Sequence, residues 1–138
     1  MKDKHLWILV PPFCGLAVLF IHYWNGPWSR MRWIGAGMIV AGFAFWTTAH
    51  VQLGATFSAS AQARQLVSRG LYSRIRNPIY VFGALGIAGV FMFLEMPFLL
   101  LIFLALIPMQ ILRARNEARV LENAFGDDYR KYRQKTWF

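Results

Sequence analysis

Four apolar runs, separated by polar and basic segments, order this chain. The first extends from Leu6 to about Trp24, close to the roughly 20 residues that span a bilayer. Pro11-Pro12 within it predict a kink, which a membrane helix tolerates when neighbours satisfy the freed carbonyls. The second run covers about Met31 to Leu53. The third opens at Pro78 and ends near Leu94, and the fourth extends from about Met96 to Leu112. Pro108, near the far end of the fourth, is expected to break the helical ladder there. Glu95 and Pro97 leave room only for a tight turn, so the third and fourth runs form a hairpin.

Residues 54–77 form a polar loop carrying Arg64, Arg69, Arg74 and Arg76. Structureless loops of this length are uncommon in compact units. Phe57, Leu66, Val67, Leu71 and Tyr72 predict that this one folds back onto the rest. At its end Asn77 suits a helix N-cap and Pro78 the first helical position. The positive end of that helix would face Arg74 and Arg76, an anion site at a membrane surface or simply a membrane helix start with flanking arginines. Beyond Leu112 the chain is charged but keeps a helical period, with Glu117, Leu121 and Phe125 on one face. Gly126 interrupts it, Asp127-Asp128 favour a new start, and Tyr129 and Tyr132 share one side.

Small residues predict where helices meet. Gly37 with Ala41, and Ala84 with Ala88, give small-xxx-small faces, and Gly83, Gly86 and Gly89 thin the third run for contact. His50 and Gln52 either line a polar pocket or lie at headgroup level.

Composition turns these runs into a fold class. The 138 residues are 57% hydrophobic and 17% aromatic, with positive mean hydropathy. A soluble domain this small would not carry so much apolar surface. The prediction is all-α: a polytopic membrane helix bundle of four spans, with a cytoplasmic loop and C-terminal helix, forming one domain over residues 1–138. Spans are placed at about 6–24, 31–53, 78–94 and 96–112, and the C-terminal segment at 113–138. Lys2 and Lys4 ahead of an apolar run resemble a signal peptide. Tyr23-Trp24-Asn25-Gly26 is no small-residue cleavage site, so the run is taken as an uncleaved span.

The formal charge of +9 would suit a nucleic-acid partner, but the basic residues sit between apolar runs, as topology signals do. With a cytoplasmic N-terminus, only Arg30 and Arg32 of the 15 Lys and Arg residues fall outside. Both termini are therefore placed in the cytoplasm of a multi-pass inner-membrane protein. Tyr23, Trp24, Trp28 and Trp33 form an interfacial aromatic belt at the opposite side. The single Cys14 excludes an intrachain disulfide, and His5, His22 and His50 are too scattered for metal-ligand spacing, so no metal is expected.

Two separated motifs carry a resemblance. Leu66-Val67-x-x-Gly70-x-Tyr72-x-x-x-Arg76-Asn77-Pro78-x-Tyr80 is followed by Glu117-x-x-x-Leu121-x-x-x-Phe125-Gly126-x-x-Tyr129-x-x-Tyr132. Together, and with Leu53-Gly54-x-x-Phe57-Ser58 upstream, they resemble the isoprenylcysteine carboxyl methyltransferase family and the related phospholipid methyltransferases. The resemblance covers roughly Leu53 to Arg133. It implies a membrane methyltransferase using S-adenosylmethionine, bound between the loop and the C-terminal helix. Leu66, Val67, Gly70, Tyr72, Arg76, Asn77, Pro78, Tyr80 and Glu117 are the implied cofactor-binding residues. Arg76, Asn77, Arg113 and Glu117 are the candidates for a chemical role.

These residue types suit that cofactor. Glu117 would accept hydrogen bonds from ribose hydroxyls or an amine, while Arg76 and the amides opening the helix at Pro78 would hold a carboxylate. Tyr72 and Tyr80 would offer aromatic faces to the adenine or the sulfonium. Transfer from a sulfonium is an in-line displacement that needs alignment and water exclusion. No general base stands out, which favours a carboxylate or thiolate acceptor over a protonated amine. Isoprenylcysteine-like carboxylates, phospholipids and small thiols all stay open. The chain departs from the family in having Asn77 where Arg-His-Pro is usual and Ala118 where a second acid is common. Asn77 can hydrogen-bond but cannot become cationic or shuttle protons near neutral pH.

Plainer roles compete. Glu117, four residues after Arg113, matches a surface pair worth a few tenths of a kcal/mol. Arg113 equally anchors a span end, Gly70 permits a turn, and Tyr129 and Tyr132 pack the C-terminal segment. A four-span transporter is the competing class, but such proteins place ionisable residues inside a span, and here Glu95 lies only in a turn. A non-catalytic membrane partner and a nicotinamide-dependent membrane reductase compete as well. No G-x-G-x-x-G loop is present. A lipophilic acceptor, the bilayer and a homodimer formed through glycine faces are the partners that follow.

Overall fold

The computed structural model describes residues 6–53 and 69–137; Leu66, Val67 and the remainder of loop 54–68 lie outside the described residues. Five α-helices appear there: α1 (Val10–Tyr23), α2 (Arg30–Leu53), α3 (Pro78–Phe93), α4 (Phe103–Phe125) and α5 (Asp127–Lys135). Short 3-10 turns cover Leu6–Leu9, Gly70–Ser73 and Pro97–Ile102. Among the described residues there is no strand, only one parallel bridge between Ile75 and Trp137.

Prolines mark beginnings more than kinks. Pro11-Pro12, expected to bend the first span, lie in the first turn of α1 behind a 3-10 turn, where a missing N–H breaks no ladder. Pro97 likewise opens the 3-10 turn that runs straight into α4. Pro108 does lie inside α4, yet the helix continues through it to Phe125. The expected break is absent, and the fourth span and the C-terminal segment are one continuous helical stretch, Pro97–Phe125, of 29 residues. Leu, Ile, Met, Gln, Ala and Arg around Pro108 favour helix strongly enough to carry the chain past one lost bond.

Two helical stretches, Arg30–Leu53 and Pro97–Phe125, are long and apolar enough to cross a membrane. Helices α1 and α3 are also apolar but have only 14 and 16 residues, short of the roughly 20 of a full span.

The core is the pairing of α2 with α3. A Cβ added to Gly35 would lie 2.4 Å from the Phe93 amide nitrogen, and one added to Gly42 would lie 2.5 Å from that of Gly86. Glycine is therefore required on both sides, and backbones touch where side chains would otherwise hold them apart. Ile39, Ala49 and Phe93 fill the seam. This corrects the expected packing faces. Gly37 has nothing within reach of a Cβ and Ala84 is exposed, because residue 37 lies two steps, about half a helical turn, round from Gly35. Gly37 and Ala41 instead line an open apolar groove with Trp28, Trp33 and Val40. Helix α1 joins through aromatic contacts, Phe20 and Tyr23 against Phe93 and Phe13 against Phe43.

The end bearing Trp24, Trp28 and Glu95 is tied by Arg32. Its guanidinium donates to the Pro27 carbonyl at 2.7 Å, lies 3.5 Å from the Glu95 carboxylate and sits over the Tyr23 ring. Ser29 donates its hydroxyl proton to the same carboxylate. The connection after α1 is thereby fastened to the turn between α3 and α4. The described candidate site residues lie at the opposite end of the α2–α3 pair.

Candidate functional site

The site is built on the segment between α2 and α3. Gly70 has φ +60°, and a Cβ there would lie 2.5 Å from the Gln52 side chain. That side chain holds the turn: Gln52 Oε1 accepts the Leu71 N–H at 2.8 Å. Ser73 closes it by donating to the Gly70 carbonyl at 2.6 Å. Gly70 thus serves the turn, and Gln52 is a bracket for it. His50 is buried, with Nδ1 3.2 Å from the Trp46 carbonyl and its ring against Trp46.

The chain leaves this turn extended and pairs with the C-terminus. Trp137 donates its N–H to the Arg74 carbonyl at 2.6 Å, and the Arg76 N–H donates back to the Trp137 carbonyl at 2.9 Å. Pro78 then opens α3 as predicted, but Asn77 does not cap it with its side chain. Its φ of −125° and ψ of 61° place the backbone carbonyl instead to accept the N–H groups of Tyr80 and Val81. Pro78 brings no N–H of its own. The amide cradle expected at this helix opening is therefore largely spent internally, and the Arg76 guanidinium is the stronger anion-binding group.

The C-terminal elements close the other side. Gly126, at φ +52°, ends α4 with its N–H on the Glu122 carbonyl at 2.8 Å and turns the chain into α5. Asp127 and Asp128 occupy the first turn of α5, as predicted. Arg130 bridges Glu122 and Asp127 at 2.9 and 3.2 Å on the exposed surface, where such pairs contribute little. Tyr129 and Tyr132 face inward and are buried, with ring centroids 6.1 Å apart.

At the centre, the Tyr80 hydroxyl donates to Glu117 Oε1 and joins α3 to α4. Glu117 is thus engaged across the site and is more than a surface partner of Arg113. Arg113, one turn earlier on α4, lies within electrostatic reach of Tyr80. Tyr72 is buried, and Tyr132, Glu117 and Tyr80 are all within electrostatic reach of its hydroxyl. Arg76 stands in the same relation to Tyr129 and Tyr132, and no ion pair of its guanidinium occurs among the described residues. Burial pushes the Tyr72 hydroxyl well above its ordinary range, with Tyr132, Glu117 and Tyr80 adding to the effect. Burial likewise pushes Tyr132 up to about 12, Tyr129 adding and Arg76 opposing, and it raises Tyr129 as well. These tyrosines are neutral hydrogen-bonding groups at physiological pH.

The two sequence motifs therefore meet in space. Tyr72, Arg76, Tyr80, Arg113 and Glu117 gather at one polar corner, with Asn77 and Pro78 turning the chain there. Tyr132 and Tyr129 also wall that corner, beside Arg76, beyond the packing role that their spacing predicts. The Trp137 pairing left no signal in the sequence, because two backbone hydrogen bonds carry it and no side-chain pattern does.

Known families give one match. The phospholipid methyltransferase family model fits residues 31–128, which take in α2, the site segment, α3, α4 and the opening of α5. No curated protein and no solved structure matches the chain.

Proposed function

The chain belongs to the phospholipid methyltransferase family, and from that premise we propose that it is an integral membrane, S-adenosylmethionine-dependent methyltransferase acting on a lipophilic acceptor. The observation that carries this reading is the convergence of both motif halves on the Tyr80–Glu117 bond. The donor set fits the cofactor's chemistry. Arg76 offers a cation to a carboxylate, Glu117 an acceptor to hydroxyls or an amine, and the tyrosines offer aromatic faces. Tyr72 adds a buried hydroxyl with no partner among the described residues.

When bound, S-adenosylmethionine supplies an electrophilic methyl group on a sulfonium. The chain's own work is then to bind, orient and exclude water. Arg76 anchors the anionic end, and Glu117, held by Tyr80, fixes the polar edge. Tyr129 and Tyr132 seal the corner from the aqueous side. Asn77 contributes backbone geometry, with its carbonyl on the Tyr80 and Val81 amides, and no proton transfer. An acceptor whose lone pair is already available suits this corner, since the tyrosines stay protonated and Glu117 is engaged. Isoprenylcysteine-like carboxylates and small thiolates meet that condition directly, and a phospholipid amine meets it once deprotonated.

The topology we propose has four apolar helices, two of them short, in one domain spanning residues 1–138. Both termini and the site lie on the cytoplasmic side, with Arg30, Arg32 and Glu95 opposite. Gly37, exposed on α2, leaves a face for a second copy.

The test is calorimetric titration of S-adenosylhomocysteine into detergent-purified protein, beside Glu117→Ala and Arg76→Ala. Binding by wild type that both variants lose is the expected result. Absence of binding in a folded sample, repeated in lipid nanodiscs, overturns the reading.

A further inference from the structure

At the end away from the proposed site, α1 and α2 leave an open apolar groove of about 510 Å³. Gly37, Ala41 and Ala44 line it from α2, Phe20 from α1, and Trp28 and Trp33 where α2 begins. A Cβ on Gly37 would meet nothing within 4 Å, so no described residue fills the space there. The Trp28 and Trp33 rings, with centroids 4.7 Å apart, fix the mouth of the groove at an aromatic belt. From Trp33 to Ala44 the helix rises about 16 Å, close to the roughly 15 Å of hydrocarbon in one leaflet. The groove therefore has the length of one leaflet's acyl chain.

Its mouth is positively charged. Arg30, Trp33, Gly37, Ala41 and Ala44 recur at steps of three and four, so Arg30 lies on the groove face of α2, one turn before Trp33. Arg30 is exposed and forms no ion pair among the described residues. The other arginine at this end, Arg32, is buried and faces Glu95, the one carboxylate there among the described residues. Arg30 also opens a helix of 24 residues, whose positive dipole end adds to its charge.

Charge favours a lipid over a second copy on this face. Two copies inserted the same way and packed about a twofold axis through it bring their Arg30 side chains together, with no free carboxylate between them. An anionic phospholipid answers both features at once, the chain by the groove and the headgroup by Arg30. We propose that the groove binds one anionic phospholipid of the leaflet on the Trp28–Trp33 side, its acyl chain along Gly37, Ala41 and Ala44 and its phosphate at Arg30. This lipid is a resident ligand and not the methyl acceptor, since its headgroup sits at the end of α2 opposite Gln52 and the Tyr80–Glu117 corner. The inference needs α2 to cross a bilayer and does not depend on the cofactor reading.

The test is native mass spectrometry of the full chain released from nanodiscs of equal phosphatidylglycerol and phosphatidylcholine. Wild type is expected to retain phosphatidylglycerol in preference, and Arg30→Ala to lower that preference about fivefold, the effect of one basic residue at an anionic lipid. Arg119→Ala, an exposed arginine at the other end, is expected to leave it unchanged. No drop in Arg30→Ala, or the same drop in Arg119→Ala, overturns the proposal, because the preference is then one of overall charge. Gly37→Leu puts a side chain into the open space and is expected to lose the retained lipid while keeping its melting temperature. Undiminished retention in Gly37→Leu overturns the groove as the seat of the chain. A wild-type dimer that Gly37→Leu converts to a monomer overturns the lipid in favour of a second copy. Binding of S-adenosylhomocysteine is expected to match wild type in Arg30→Ala and Gly37→Leu, and its loss in either overturns the separation of this site from the corner.

Discussion

The Tyr80 hydroxyl bonds the Glu117 carboxylate across 37 residues of sequence, and this contact ties α4 to the α2–α3 core at the site. None of the α4 side chains is fully buried, so packing alone holds this long helix weakly. Its charged half is positioned instead by a charge-assisted hydrogen bond from α3 and by α5 folding back over segment 70–77. Site geometry and helix docking are consequently one problem.

Tyr80→Phe is expected to lower both stability and cofactor affinity. A hydrogen bond to a charged acceptor contributes about 1.5–3 kcal/mol. Glu117→Gln should lose part of the same contribution, since an amide oxygen still accepts. A double-mutant cycle on melting free energy is expected to give a coupling of about 1 kcal/mol or more. Additive losses would show that the pair does not interact in solution.

The α2–α3 seam makes a sharper steric prediction. Gly35→Ala and Gly42→Ala place a methyl 2.4 and 2.5 Å from backbone nitrogen, where nothing can yield without moving a helix. Each is expected to destabilise by about 1–3 kcal/mol. Gly37→Ala, with nothing within 4 Å, should be neutral or slightly stabilising through helix propensity. Thermal melts of the three variants in one detergent settle the order. A Gly37→Ala loss as large as the other two would mean that the packing face lies elsewhere.

Alkaline pH should unfold the protein from the site outward. Tyr132 ionises at about 12 in the folded chain, against about 10 when unfolded, and burial raises Tyr72 and Tyr129 as well. Between those values the unfolded chain releases protons that the folded chain keeps. Stability is therefore level below about pH 10 and falls as pH rises towards 12, by up to about 1.4 kcal/mol per unit for each such tyrosine. Melting temperatures over this range should fall less steeply in Tyr132→Phe than in wild type. Equal slopes would place Tyr132 in solvent.

Much of this was legible in the sequence because single residues carried it. Pro78 marked the start of α3 and Gly126 the corner before α5, and the family resemblance of the two motifs implied that Tyr80 and Glu117 belong to one site. Other features depend on the partner and not on the pattern. Gly35 and Gly37 look alike in the chain, and only the direction of α3 decides which one is buried. Asn77 has the side chain of a cap, yet its backbone took over the role. Pro108 carried a strong local signal for a break, and the helix formers around it overrode that signal. Gln52 has the character of an interfacial polar residue, and only the Gly70 turn resting on it reveals its role.

The last prediction concerns Glu95, where two effects oppose each other. Glu95 follows the end of α3 with φ +59°, its N–H on the Met92 carbonyl and the Met96 N–H on the Phe91 carbonyl, a helix ending that ordinarily takes glycine. The left-handed conformation costs a non-glycine residue about 1 kcal/mol. Against that, its carboxylate accepts from Ser29 and lies 3.5 Å from Arg32, whose residue is only 8% exposed. Removing the carboxylate strands a buried guanidinium, a loss of about 1–3 kcal/mol given the partial exposure of Glu95. Glu95→Ala loses the pair and keeps the strain, whereas Glu95→Gly loses the pair and relieves it. The expected order of melting temperature is wild type, then Glu95→Gly, then Glu95→Ala, with S-adenosylhomocysteine affinity unchanged because the proposed site lies at the other end. Should Glu95→Gly match or exceed wild type, the Arg32 contact does not stabilise the fold.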